Sequence, residues 1–266
     1  MEARKIIITG GATRIGAAIA KKLSGPKIEI VIHYNKSKSK AEKLKKELKN
    51  NGTIVNLVKA DLNKENDVDK IIKFSKIKLK YFDCLINNAS LFENDKLENF
   101  TVKSWDLHLN TNLKAPALLS KGFAKNTRGK NNSIINIIDQ RVFKLTPYFF
   151  SYTLSKTGLY TLTKTSAMSL APKIRVNGIA PGPTIKNKRQ TEKHFKKQYF
   201  ATPLKQQVDV KEICNAVDFF IKNSSITGQV LAIDSGQSLN WQTPDIMGGK
   251  EWKKIIIEKI KLINQK

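Results

Sequence analysis

Short apolar runs alternate with stretches of helical periodicity along most of the chain, from its first residues to about Gln237. Residues 5–9 (KIIIT) are an unbroken apolar run, the pattern of a strand buried on both faces. A glycine-containing turn follows, and residues 15–23 then repeat at helical spacing. Further strands are predicted over 28–34 (IEIVIHY), 53–59, 82–87 (FDCLIN), 133–138 (SIINII), 174–179 and 229–233. Helices are predicted over 39–50, 66–77, 105–126, 152–170 and 208–221, with Val68, Ile71, Ile72 and Ser75 on one side of the second of these. This βαβ rhythm implies an α/β fold, a doubly wound and mostly parallel sheet of about seven strands with helices on both faces. No repeat or low-complexity linker interrupts it, so residues 1–240 read as one domain.

Two stretches depart from the rhythm. Residues 184–203 (TIKNKRQTEKHFKKQYFATP) are polar and basic and follow the strand that ends at Ile179. In an open α/β sheet this is the carboxyl end, where ligands bind, so a mobile substrate lid and an ordinary surface helix both fit. Residues 241–266 read as a basic amphipathic C-terminal extension, with Trp252, Ile255, Ile256, Ile260 and Ile263 on one helical face. That face would dock on the domain or on another subunit; a frayed basic tail is the alternative.

Composition adds limits. The chain has 266 residues and a formal net charge of +26, and 40% of its residues are hydrophobic, enough for a core. Of its 48 basic residues 42 are Lys, spread through nearly every segment, whereas a nucleic-acid binder concentrates its charge on one face or arm. Ile, Lys and Asn fill 94 positions, so a coding bias accounts for the charge and no specific nucleic-acid partner is expected. Cys84 and Cys214 form no pair motif, which points to a reducing compartment rather than a disulfide scaffold. The N-terminal apolar run is too short for a signal peptide and no stretch suits a bilayer span, so a soluble, cytoplasmic protein without membrane contact is expected. His33, His108 and His194 lack metal-ligand spacing, so no metal site is predicted.

The first turn carries the first chemical signal. Gly10, Gly11 and Gly16 lie between the first strand and the first helix, in the stretch TGGATRIG. Glycine lets the backbone approach a pyrophosphate closely, and a helix N-terminus offers free amides and a positive dipole end. The spacing differs from G-x-G-x-x-G and resembles the TGxxxGxG turn of the short-chain dehydrogenase/reductase family. Asn87-Asn88-Ala89-Ser90 resembles that family's NNAG, Asn112 falls at its helix asparagine, and Tyr152…Lys156 matches its YxxxK. RVNGIAPG at 175–182 resembles RVNxxxPG, and Asp234-Ser235-Gly236 the closing DGG. Six such segments in order carry the resemblance over most of the chain and imply a single-domain Rossmann-type reductase.

Tyr152 and Lys156 are four apart on a helix and share a face. An ammonium ~5.5 Å from the phenol, at an effective dielectric of ~20, contributes roughly 3 kcal/mol and lowers the tyrosine pKa by about two units. Tyr152 would then exchange a proton near neutrality while hydride moves on the cofactor, with Lys156 also holding the ribose and Asn112 ordering a water chain. The family's catalytic serine is replaced by Asp139, thirteen residues before Tyr152. An ionised carboxylate cannot donate a hydrogen bond, so Asp139 suits a substrate with N–H groups or a proton relay through water.

This substitution resembles the pteridine reductase and dihydromonapterin reductase subgroup, as do Arg14 in the first turn and Ser90-Leu91-Phe92 after the fourth strand. The resemblance implies that Phe92 stacks on a pterin, that Ser90 and Asp139 hydrogen-bond it or the cofactor, and that Arg14 contacts phosphate or substrate, with Tyr152 also at the substrate. It further implies a cofactor site of Gly10, Thr13, Arg14, Ile15, Gly16, His33, Tyr34, Asn35, Lys36, Ser37, Asp61, Leu62, Asn88, Ala89, Ser90, Tyr152, Lys156, Pro181, Gly182 and Thr184. The segment His33–Ser37 lacks the acid that holds an NAD ribose and offers Lys36 and Ser37 to a 2′-phosphate, so NADPH is the expected cofactor. The family resemblance also implies a homodimer or homotetramer built through the helices at 105–126 and 152–170. A carbonyl or 3-oxoacyl reductase of the same family is the nearer alternative, and a non-catalytic RNA- or protein-binding Rossmann domain the more distant one.

Overall fold

The computed structural model describes residues 3–187 and 189–240, so the amphipathic extension expected at 241–266 lies outside the described residues. Seven parallel strands form one sheet in the order β3-β2-β1-β4-β5-β6-β7. They are β1 Arg4–Ile8, β2 Ile28–Tyr34, β3 Ile54–Lys59, β4 Cys84–Asn87, β5 Asn132–Ile137, β6 Ile174–Pro181 and β7 Val230–Ile233. Alternation along β1 explains its unbroken apolar run. Ile6 and Ile8 pack into a core with α1 (Arg14–Leu23), α2 (Lys38–Lys49) and α8 (Val210–Lys222), while Ile7 points into the opposite core, under α3 (Glu65–Leu79), α5 (Ala115–Ala124) and α6 (Phe150–Leu170). Each of these three isoleucines is therefore needed on one face or the other.

The chain runs outward from β1 through β2 and β3, then returns to place β4 on the other side of β1. That reversal opens a crevice beyond the carboxyl ends of β1 and β4, the place where α/β sheets bind ligands.

Two details differ from the sequence pattern, and a third falls within it as the surface helix. Phe82 makes only an isolated bridge with Thr127, and β4 begins at Cys84 because the Asp83 side chain takes the Lys5 amide instead. The helix expected over 105–126 starts earlier, as α4 (Val102–Leu109), and passes through a π-helical turn, Asn110–Lys114, before α5. Part of the basic stretch 184–203 folds as α7 (Glu192–Phe200), capped by Thr191 Oγ1 and anchored by buried Phe195. Cys84 and Cys214 are free and buried. Among the described residues no helix is long and apolar enough to cross a membrane, and no cluster of three metal-binding side chains occurs.

Candidate active site

The glycine turn after β1 is locked to the end of β4. Thr9 Oγ1 accepts from the amides of Asn88 and Ala89, both at 3.0 Å, and Asn88 Nδ2 donates back to the carbonyls of Thr9 (2.9 Å) and Gly10 (3.2 Å). Gly10 has φ +59°, and a Cβ there would sit 2.9 Å from the Ala89 Cα. A Cβ on Gly16 would lie 2.5 Å from Asn88 Nδ2. Both positions thus require glycine. Thr13 precedes α1 in extended conformation without capping the helix by its side chain, and the first turn, which contains Arg14, Ile15 and Gly16, has no acid. Its amides and positive dipole end are directed to the crevice.

The other residues expected around a cofactor gather on the same edge of the sheet, in different roles. His33 is buried beneath the turn: its Nδ1 accepts the Gly10 amide (3.1 Å) and its Nε2 donates to the Ala60 carbonyl (3.1 Å). Both nitrogens are thus spent inside the protein and burial lowers the imidazole pKa, so His33 braces the loop rather than facing the crevice. Tyr34 is buried, Asn35 and Lys36 are exposed, and Ser37 opens α2. Asp61 accepts the Asn63 amide through Oδ1, and Leu62 is buried in the core. Gly182 donates its amide to the Ile233 carbonyl at 2.9 Å, and Pro181 and Thr184 are buried.

Beyond β5, Asp139 Oδ2 accepts the hydroxyl of Tyr152 at 2.7 Å, and Oδ1 accepts the amide of Arg141 at 2.9 Å. Tyr152 and Lys156 are almost fully buried. Lys156 Nζ donates to the Ile137 carbonyl at 2.8 Å and lies 5.8 Å from the centre of the Tyr152 ring. This arrangement reverses the expected tyrosine shift. Burial first, then the charge of Asp139 and its hydrogen bond, hold Tyr152 well above its ordinary 10, against a smaller lowering by the charge of Arg141 and a hydrogen bond from Ser90. Burial pulls Lys156 down to about 8. In this state the phenol is a proton donor rather than a phenolate.

Asn112 sits in the π turn, fully buried. Its Oδ1 accepts from the Leu91 amide (2.8 Å) and Ser90 Oγ (3.2 Å), and its Nδ2 donates to the Leu91 carbonyl (2.9 Å) and Ser155 Oγ (3.0 Å). Its side chain therefore holds the loop after β4 in place. π turns often occur at such functional points.

Several residues packed around Phe92 and Tyr152 carry no motif that marks them. Phe92 stacks on Phe149 with centroids 4.5 Å apart and meets Tyr152 edge-on at 4.7 Å. Phe149 adopts a left-handed conformation (φ 59°) just before α6, and the Arg141 guanidinium lies over both phenylalanine rings. Asp95, buried, accepts the Ser151 amide (3.1 Å) and hydroxyl (2.5 Å) and the Ser104 hydroxyl (3.2 Å). It caps the start of α6, one residue before Tyr152. His108 is fully buried and accepts the Glu93 amide at 3.1 Å.

A strap crosses this centre. The Arg14 guanidinium donates to the carbonyls of Ile185 (2.7 Å) and Lys186 (2.9 Å), so in this structure it grips the segment after β6. Further along, Arg189 Nη2 pairs with Glu93 Oε1 at 3.3 Å. The segment is thereby pinned on both sides of the crevice.

Residues 4–197 match the family model for short chain dehydrogenases. The chain belongs to the short-chain dehydrogenase family and is, by that membership, an oxidoreductase. It is 32% identical over 240 residues to the 3-oxoacyl-[acyl-carrier-protein] reductase FabG of Buchnera aphidicola, spanning 88% of this chain and 97% of that one. Among solved structures, the FolM alternative dihydrofolate reductase 1 of Brucella canis, complexed with NADP, superposes with TM-score 0.87 at 42% identity, over 91% of this chain and 96% of that one. A short chain dehydrogenase from Burkholderia cenocepacia, also with NADP, superposes with TM-score 0.84 at 26% identity, over 89% and 98%.

Proposed function

We propose that the protein is an NADPH-dependent reductase of a dihydropterin-like heterocycle. The observation that carries this reading is the Tyr152 hydroxyl held by the Asp139 carboxylate at 2.7 Å, with the Phe92 ring 4.7 Å from that of Tyr152. The uncapped N-terminus of α1, the glycine turn and the exposed Asn35 and Lys36 fit a phosphorylated dinucleotide, and several similar structures hold NADP. When bound there, NADPH supplies hydride. Reducing an imine adds hydride to carbon and a proton to nitrogen, and Tyr152 supplies that proton. Asp139 keeps the phenol protonated until transfer and then relays a replacement proton from water. Its remaining acceptor capacity suits a heterocycle bearing N–H groups, and Phe92 offers a ring for a flat substrate. Lys156 holds the ribose and, as an ammonium, favours the tyrosinate left after transfer. Residues 184–203 serve as the substrate lid, and the enzyme works as a cytoplasmic homodimer or homotetramer.

The test is NADPH oxidation by purified protein with dihydrobiopterin, dihydromonapterin and dihydrofolate, beside simple ketones and an acetoacetyl thioester. Turnover confined to the pterins supports the reading; turnover confined to the carbonyls refutes it. The second outcome would favour a 3-oxoacyl reductase, the activity of the FabG relative.

A further inference from the structure

The strap presents a charge to the site that proton transfer does not use. β5, which leads to Asp139, lies between β4 and β6, and the Glu93–Arg189 pair joins the loop after β4 to the segment after β6. Glu93 directly follows Phe92, whose ring touches Tyr152. Arg189 is therefore held at the residue next to the ring that meets Tyr152. The backbone amide of Arg189 donates to Asn187 Oδ1 at 2.8 Å.

The pair is of the kind that exchanges. It joins one nitrogen to one oxygen at 3.3 Å, with the side chains 58% and 46% exposed. Such pairs contribute little to stability. A guanidinium matches a free carboxylate better, through two parallel hydrogen bonds. Lys186 is engaged differently, by Glu192 at the start of α7 (2.6 Å), on the strap itself. With a net charge of +26, the surroundings also draw anions inward.

Building on the dihydropterin reading, we infer that Arg189 is a specificity-determining residue that binds a carboxylate on the substrate's side chain, and that Glu93 is the internal carboxylate it displaces. The enzyme thereby favours a pterin with an anionic tail over one with an uncharged tail. Glu93 sets the threshold, since removing its charge frees Arg189 for the substrate.

The experiment compares 7,8-dihydrofolate, with a glutamyl tail, and 7,8-dihydrobiopterin, with an uncharged tail, as substrates for the unaltered protein, Arg189→Gln and Glu93→Gln. Both positions are partly exposed, and matching melting temperatures establish that the variants fold. Arg189→Gln should lower the ratio of kcat/KM for dihydrofolate to that for dihydrobiopterin by about tenfold, through KM rather than kcat, as expected for one lost charge-assisted bond. Glu93→Gln should raise the ratio, and raised salt should depress it in the unaltered protein. An unchanged ratio in both variants overturns the role of Arg189 and leaves dihydropterin reduction standing. If the unaltered protein reduces neither pterin, the parent reading fails and this inference with it.

Discussion

Replacing Lys156 by Met should stabilise the folded chain in a way that depends on pH. Burial takes the Lys156 ammonium from its ordinary 10.5 to about 8. At about 1.4 kcal/mol for each tenfold change in the proton equilibrium, that displacement is worth roughly 3 kcal/mol. The folded state binds this proton less tightly than the unfolded chain, so the penalty is complete below about pH 8 and has vanished above 10.5. Stability attributable to Lys156 therefore rises with pH across that window. Met carries no charge and has no such penalty, although it leaves the Ile137 carbonyl without its donor at a cost of about 1 kcal/mol that does not vary with pH. Urea denaturation of both proteins, followed by fluorescence at several pH values, gives the difference directly. The advantage of the variant should shrink by roughly 3 kcal/mol between pH 8 and 10.5. Burial raises the thiols of Cys84 and Cys214 to about 12 and about 11, but both proteins share them and the subtraction removes them. A difference that stays flat with pH would refute the argument that burial penalises this ammonium. The stabilised variant should also lose turnover, since the proposed mechanism needs the charge.

Asp139→Asn should bring the Tyr152 titration, followed by its ultraviolet difference spectrum, closer to the ordinary phenol range, because the neighbouring charge that raises it is gone; turnover should fall by about a hundredfold. Gly16→Ala should weaken NADPH binding in a fluorescence titration and lower the melting temperature, since its Cβ would lie 2.5 Å from Asn88 Nδ2 in the lock between the two loops. Asp95→Ala orphans buried donors at the start of α6 and should cost about 1–3 kcal/mol in urea denaturation, with turnover recovering partly in Asp95→Asn.

What could be read from the chain follows from the range of the forces involved. Ile6, Ile7 and Ile8 announce a strand buried on both faces because alternation is local, and the βαβ rhythm gives the parallel sheet. The π turn leaves no such trace. It is accompanied by bonds from Asn112 to Leu91, 21 residues away, and nothing in helical periodicity records them. Spacing puts Lys156 on the face of Tyr152, but the direction of its ammonium is set by the Ile137 carbonyl, which the spacing cannot see. Nor does the spacing record the burial of the phenol or its contact with Asp139, so the tyrosine shift that it predicts has the wrong sign. His33 sits where a cofactor contact belongs in sequence, yet folding tucks it beneath Gly10 and uses both of its nitrogens. Phe149 and Asp95 act only through three-dimensional neighbours, so no motif could mark them.

The π turn also constrains how this protein can change over generations. A residue lost from an ordinary helix rotates everything beyond it by about 100°. A π turn absorbs one extra residue locally, so deleting one from Asn110–Lys114 would close the wide turn and leave α4 and α5 nearly in phase. What such a deletion would lose is the seat of Asn112, and with it the bonds to Ser90, Leu91 and Ser155. Point substitutions would weaken those bonds one at a time. A single deletion removes them at once, so the surplus residue, once the site has been built around it, is held in place by everything that later came to lean on it.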